Sequence, residues 1–525
     1  MATRVTGLIS GMDTESLVSA MVSNYTAKVE KYTKAQTKLS WTQDAWKSLN
    51  TKVYSLYTNI SNLRFSSGYS LQKATVSDTT KASATANGSA VVGTQKLNVL
   101  SMAQTAYMTS ADLSKKYSGT IDTSTKLSNL GYEVTDENGN PVATKLNITT
   151  KDENGNDVTT QLSLSGESTI SDVLAGLKEA GLNASFDKSN NRFYINAKSA
   201  GESGDFSITA DTSDENSAAM LSALGMNTQE DDSEGTDSTN YATKIDGIDA
   251  KIRLNGVLYT GSSNTFTVNG LTINATGITG DGDENAITVT TETDTQGLYD
   301  KIKDFLTEYN NVINEMTKLY NADSASGYEP LTDDEKAAMS ETEIEKWETK
   351  IKDSLLRRDT TLNGVMQSMM SAMSNTITVN GTKLSLSSFG IHTLGFLNAP
   401  ENEQNAFHID GDEDDENTSG NTDKLMEALN TNPEQVIDFM KQLTSNLYSS
   451  IGDKMTATSL SSAYTIYNDK QMTTQYSEYT SLIDEWEDKL ADKEDFYYSK
   501  FATMETKLSE LQSQTSSLSG LLGSS

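Results

Sequence analysis

The chain has 525 residues, with 41 Lys plus Arg against 73 Asp plus Glu, a net charge of -32 and no cysteine. A surface this negative repels phosphate backbones and anionic lipids, and no basic cluster with interleaved aromatics offsets it, so neither nucleic acid nor a membrane is an expected partner. Disulfides and thiolate metal sites are excluded, and no stretch approaches the roughly 18 apolar residues of a membrane span.

From the N-terminus, Met1 to Arg4 lacks a basic region followed by an apolar one, so any export is expected to proceed without a cleaved general secretory signal. Val22, Tyr25, Val29, Tyr32 and Leu39 recur at helical spacing. After a phase slip between Ser40 and Asp44, Trp46, Leu49, Val53, Leu56, Ile60 and Leu63 resume it in steps of three and four. No proline precedes Pro141 or follows Pro433, so both ends can form long helices.

From about residue 75 to 295 the pattern changes to alternating, Ser- and Thr-rich sequence with frequent turn clusters, which predicts antiparallel β-structure. The tetrad Asp-Glu-Asn-Gly occurs at 136–139 and 152–155. Each predicts a tight hairpin of type I′, with one strand or a pair between them. Ile170, Val173, Leu174 and Leu177 share one helical face, with Ser168 or Ser171 as cap and Gly181 as stop, followed by a hairpin over 184–197. Residues 213–243, with Glu230, Asp231, Asp232, Glu234 and Asp237, read as a solvated connection.

Helix returns after Gly297, with Leu298, Ile302, Phe305, Leu306, Tyr309, Val312, Ile313, Met316 and Leu319 on one broad face. Thr332 and Glu335 form a capping-box pair, Met366, Met369, Met370 and Met373 read as helix core, and Pro433 opens a further helix at its first turn. The last segment carries Met472, Tyr476, Tyr479, Ile483, Trp486 and Leu490. After a skip at Lys493 come Tyr497, Phe501, Met504, Leu508 and Leu511. A three-four stripe this long is stable in water only against a partner helix.

The whole predicts an α+β multidomain chain, a coiled-coil or helical stalk built from both chain ends with antiparallel β-rich head domains inserted between them. The expected divisions are a coil at 1–45, a leg helix at 46–74, one head domain from 75–112 with 243–296, an inserted head domain at 113–242, a helical leg at 297–460 and a C-terminal coil at 461–525. Tyr25, Trp46, Leu49, Val53, Leu56, Ile60, Ile483, Trp486, Leu490, Phe501, Leu508 and Leu511 are the expected partner-binding seam. Oligomerisation or docking hides the seam aromatics if the ends do not pair with each other.

Chemistry has little foothold. His392 and His408 lie in no metalloprotease or nucleophile-elbow pattern, no phosphate-binding loop is present, and no single carboxylate pair stands out from so many. Asp410, Asp412 and Asp414 alternate as in a calcium loop, but Asp415 occupies the glycine position. Asp152, Asn154 and Asn156 fail in the same way at Asp157. No metal or cofactor is expected.

Several segments resemble the flagellar hook-associated protein 2 family, the flagellar filament caps. Thr6-Gly7-Leu8-Ile9-Ser10-Gly11-Met12-Asp13-Thr14 is similar to that family's opening signature, with Thr6 in place of Ser. Leu97-Asn98-Val99-Leu100-Ser101-Met102-Ala103-Gln104 is similar to its strand followed by Leu-Ala-Gln, with Met102 as a departure. Asn255-Gly256-Val257, Phe305-Leu306-Thr307-Glu308-Tyr309-Asn310, Tyr328-Glu329-Pro330-Leu331-Thr332, Trp347 and Leu355-Leu356-Arg357-Arg358-Asp359 follow in the family's order, and 168–207 resembles a module shared by flagellins and hook-associated proteins. The resemblance implies a non-enzymatic protein exported through the flagellar channel. It implies a small ring-like homo-oligomer, a pentamer or similar, at the distal filament tip, where it promotes folding and polymerisation of flagellin. It also implies hook-filament junction proteins and an export chaperone as partners. An adhesin whose β-rich head binds host surfaces or glycans is the alternative, and a glycan-acting enzyme is weaker still for want of a defined acid pair.

Overall fold

The computed structural model describes residues 10–152, 155–228 and 239–522. The chain divides into two compact units: Ser70–Asp294, and the two chain ends together, Met1–Tyr69 with Thr295–Ser525. The helical ends and the intervening antiparallel sheets are the α+β architecture that the periodicities predict.

The inner unit has two cores. Around the first, a five-stranded antiparallel sheet runs in the spatial order Gln72–Val76, Ile287–Thr293, Gly93–Ser101, Ala250–Leu254, Val257–Gly261. A three-stranded sheet, Thr265–Val268, Leu271–Ala275 and Ala82–Ala86, shares the core of Leu97, Val99, Ile252, Leu271, Ile273 and Val289. Alternation decides the facing: Ala250, Ile252 and Leu254 are buried while Lys251 and Arg253 between them are half-exposed. Asn255-Gly256 (φ 50° and 84°) and Asn269-Gly270 (φ 47° and 81°) supply the paired positive φ values that a type I′ turn requires.

The second core lies under a four-stranded sheet in the order Thr243–Ile245, Thr105–Thr109, Arg192–Ala200, Asn183–Asp187, and a three-stranded sheet, Asp157–Leu164, Thr144–Lys151, Ser207–Ala210. Leu146, Ile148, Ile170, Val173, Leu177, Phe193 and Ile195 fill it. The helix is Ile170–Glu179. Its cap is Thr169 rather than Ser168 or Ser171, because Asp172 three residues on completes a capping box with Thr169.

Two expectations shift here. Strands Thr105–Thr109 and Thr243–Ile245 pair inside the four-stranded sheet, so the chain passes between the two parts at the Gln104–Ile248 bridge rather than at residues 112 and 243. The tetrad at 136–139 is not type I′. Gly139 alone has positive φ (80°), its N–H donates to the Asp136 carbonyl at 3.0 Å, and the Asp136 carboxylate accepts from the Asn138 N–H at 2.8 Å. An aspartate that accepts from the backbone two residues ahead favours a type I turn closed by a left-handed glycine. Gly155 (φ 82°) donates to the Asp152 carbonyl in the same way, and the one strand between the tetrads is Thr144–Lys151. Asn154 and the acidic cluster at Glu230, Asp231, Asp232, Glu234 and Asp237 lie outside the described residues.

Both cores of Ser70–Asp294 are lined by that segment's own side chains. Expressed alone, it is expected to melt cooperatively. A broad, featureless calorimetric trace for the fragment would contradict this.

The outer unit is helical. Thr295–Asn321 buries Leu298, Ile302, Phe305, Tyr309, Ile313 and Met316. Thr360–Met373 buries Met366, Met369 and Met373, which are core, with Met370 half-buried. Pro433–Lys454 begins with Asn432 as cap and Pro433 at its first position. Thr332 and Glu335 form the expected capping box. No described helix is long and apolar enough to cross a membrane.

Candidate assembly interface

The first helix, Thr14–Asn59, runs unbroken for 46 residues. Asp13 caps it, accepting from the Ser16 N–H at 3.1 Å and hydroxyl at 2.6 Å, and these bonds hold its carboxyl below the ordinary value. The last helix, Asp469–Leu522, has 54 residues, about 80 Å at 1.5 Å per residue.

The two helices run antiparallel against each other. Partner numbers fall from Glu505 to Tyr467 as numbers at the first chain end rise from Ser10 to Trp46. The Ser10 hydroxyl and N–H meet Glu505, Tyr25 packs on Trp486 (6.2 Å between ring centres), Tyr32 on Tyr479 (6.4 Å), and Gln36 Nε2 donates to Thr480 Oγ1 at 2.7 Å. Trp46 stacks on Tyr467 at 5.4 Å, just ahead of the last helix. The aromatic stripes read at the two ends of the sequence therefore meet within one chain.

The seam residues divide into two groups. Trp46, Leu49, Val53, Leu56 and Ile60 are 0 to 3% exposed. Expected as a surface for a partner, they are instead core of the same chain. Helices Thr295–Asn321 and Pro433–Lys454 also close on this part of the first helix. Lys52 pairs with Glu315 at 3.1 Å, Asn59 bonds Glu308, and Tyr57 stacks on Tyr448 at 4.1 Å with its phenol pushed up to about 12 by the Tyr448 bond. The phase slip at 40–44 is thus no break in the helix. Residues 39–43 are all half-buried, and leg contacts begin on their N-terminal side, with Lys34 on Glu335 and Lys352 Nζ 4.6 Å from the centre of the Trp41 ring.

Tyr25, Ile483, Trp486, Leu490, Phe501 and Leu508 are only half-buried, and Leu511 is 58% exposed. A single neighbour helix covers one flank of a three-four stripe, so the other flank still faces water. Lysine stems shield part of it, with Lys489 Nζ 4.5 Å and Lys28 Nζ 5.9 Å from the centre of the Trp486 ring. Periodicity alone passed over Val18, which is fully buried, and Leu17, Met21 and Phe496, which are exposed. Val18 continues the Val22 stripe one turn earlier and was legible by spacing. Phe496 lies beside the stripe rather than on it.

The groups weighed for chemistry are engaged with one another. His392 and His408 face each other across a two-residue ladder. His392 Nε2 lies 3.0 Å from Asp410 and His408 Nδ1 2.6 Å from Asp415. Burial pushes the Asp410 carboxyl up, but bonds from His392 and Asn421 outweigh it and leave the pKa low. Asp412 and Asp414, two carboxylates of the calcium-like pattern, both bind Lys303 Nζ at 2.6 Å. Among the described residues, no group of three or more acidic or histidine side chains is placed to hold a metal.

A family model described as "Flagellar hook-associated protein 2 N-terminus" matches residues 10–106, and one described as "Flagellar hook-associated protein 2 C-terminus" matches residues 247–513. A curated relative named flagellar hook-associated protein 2, from Halalkalibacterium halodurans, is 24% identical over 98% of this chain and 99% of its own length. Among solved structures, the flagellar cap protein FliD from Escherichia coli matches with 21% identity and a TM-score of 0.47 over 77% of this chain and 95% of that one. FliD from Pseudomonas aeruginosa matches with 18% identity and a TM-score of 0.31 over 47% of this chain and 99% of that one. With matches that take in both helical ends and the strands leading into and out of the inner unit, this chain belongs to the flagellar hook-associated protein 2 family.

Proposed function

We propose that this chain is the structural cap of a bacterial flagellar filament, working at the distal tip to promote folding and polymerisation of exported flagellin. The observation that carries the reading is the terminal hairpin in a chain of this family: two long helices whose shared aromatic stripe is covered on one flank only. Two half-covered faces from neighbouring copies, or one copy and a filament subunit, complete each other's burial. On this reading the protein reaches the tip through the flagellar export apparatus and acts as a ring-like homo-oligomer, a pentamer or similar. Flagellin, the hook-filament junction proteins and an export chaperone are its partners. Tyr25, Ile483, Trp486, Leu490, Phe501, Leu508 and Leu511 are the contact residues. The reading assigns no catalysis and no cofactor.

Cells whose only copy ends before Asp469 are expected to release flagellin into the medium and to lack filaments, with the Ser70–Asp294 unit still folded. Normal filaments in those cells would sink the capping mechanism.

A further inference from the structure

The stretch Ser10 to Thr14 carries the N-terminal resemblance, yet the capping reading gives it no part. The Ser10 hydroxyl donates to one carboxylate oxygen of Glu505 and accepts from the Met12 N–H at 3.3 Å, while the Ser10 N–H donates to the other Glu505 oxygen at 3.3 Å. Gly11 between them is left-handed (φ 67°), a backbone conformation that a residue with a Cβ resists. Asp13 then caps the first helix, and Thr14 opens it at 1% exposure.

Glu505 is as unusual as the turn it meets. Among the described residues of Asp469–Leu522 it is the one buried side chain, 5% exposed, whereas the stripe residues Phe501, Met504 and Leu508 around it are half-buried. A carboxylate withdrawn from water is destabilising unless donors reach it, and a leucine at this position would carry no such penalty. Packing therefore does not account for Glu505. The donors that reach it do, and both Ser10 donors come from 495 residues away. Of the contacts described between the two chain ends this is the outermost, beyond Tyr25 on Trp486 and Tyr32 on Tyr479.

We propose that Glu505 is the positioning residue for the opening turn: it fastens Ser10 and so clasps the far end of the terminal hairpin shut. The near end has Trp46 and Leu49 buried at 3% and 1% exposure to hold it. The far end offers less apolar burial, with Leu17 and Met21 38% and 48% exposed and Leu508 half-buried, and a segment so built opens locally before the rest of the unit does. A hydrogen-bonded carboxylate at the outermost contact opposes that opening where apolar contact is thinnest. Because it joins residue 10 to residue 505, the clasp fastens only when both terminal helices are in place. The inference concerns the folding of one chain and is independent of the capping reading.

The absence of cysteine makes a single introduced thiol a clean reporter. Thr14 suits it, since its hydroxyl is buried without a hydrogen-bond partner and Thr14→Cys therefore removes no bond. In the full-length Thr14→Cys protein the thiol is expected to react slowly with an aromatic disulfide reagent, at a rate set by opening of the far end. Adding Ser10→Ala or Glu505→Leu is expected to speed the reaction about tenfold or more, the effect of losing a hydrogen bond to a carboxylate. Glu505→Gln, which keeps an acceptor in place, is expected to retain most of the protection. Ser10→Ala and Glu505→Leu together are expected to act no more strongly than the larger of the two alone, because both remove one contact. A thiol placed instead by Leu49→Cys, at the near end, is expected to stay equally protected in every variant, which shows that the fold survives. Unchanged labelling in both single variants, effects that multiply in the double variant, or immediate labelling of Thr14→Cys in the otherwise unmodified chain would each overturn the clasp. So would faster labelling of Leu49→Cys alongside Thr14→Cys, since the bond would then support the whole unit and not its far end.

Discussion

Trp46→Ala is expected to destabilise the outer unit by about 3 to 5 kcal/mol, the range for removing a fully buried large aromatic. Trp46 is 3% exposed and stacks on Tyr467 with ring planes 9° apart, on a helix whose next inward residues, Leu49, Val53 and Leu56, are also buried. The cavity would open beside the Tyr467 ring, in the buried stripe that Leu49, Val53 and Leu56 continue. Calorimetry of the full chain should show the outer unit's transition moving to lower temperature while that of Ser70–Asp294, which has its own cores, stays in place. Trp46→Phe should recover part of the loss by keeping an aromatic face for Tyr467. An unshifted outer-unit transition in Trp46→Ala would mean that the burial of this side chain contributes little, and that the intrachain pairing described here is wrong.

The sequence revealed the elements far better than their partners. A three-four stripe with no proline can hardly form anything but a helix, and both terminal helices appear where the stripes run. What a stripe packs against depends on residues hundreds of positions away. Trp46 and Trp486 look alike by spacing, yet one is 3% exposed and the other only half-buried. The slip near Asp44 was the one local sign of that change. Turns tell a similar story. Asn255-Gly256 does form a type I′ turn, whereas Asn138-Gly139 does not, because Asp136 two residues earlier captures the backbone first. The passage between the two inner cores at Gln104 left no mark in composition, since strand Thr105–Thr109 alternates as the later strand Thr144–Lys151 does.

Leu490→Asp combined with Leu508→Asp is expected to abolish retention at the filament tip while leaving the folded units nearly intact. Both leucines are half-buried in the single chain, so the loss within one copy falls below the ~2 to 5 kcal/mol of a fully enclosed leucine. Their open flank is where the proposed second helix would sit. There each carboxylate would lose water without gaining a hydrogen-bond donor, and the contact would be lost. The double variant should therefore melt only modestly below the unmodified chain, export normally, and yet leave flagellin in the medium and the cells without filaments. Leu511→Asp is the sharper control. At 58% exposure it costs the isolated chain almost nothing, so any loss of filaments it causes must come from a contact with another molecule. Normal filaments in the double variant would mean that this flank of the last helix faces only water in the assembled cap, and that the seam lies elsewhere on the molecule.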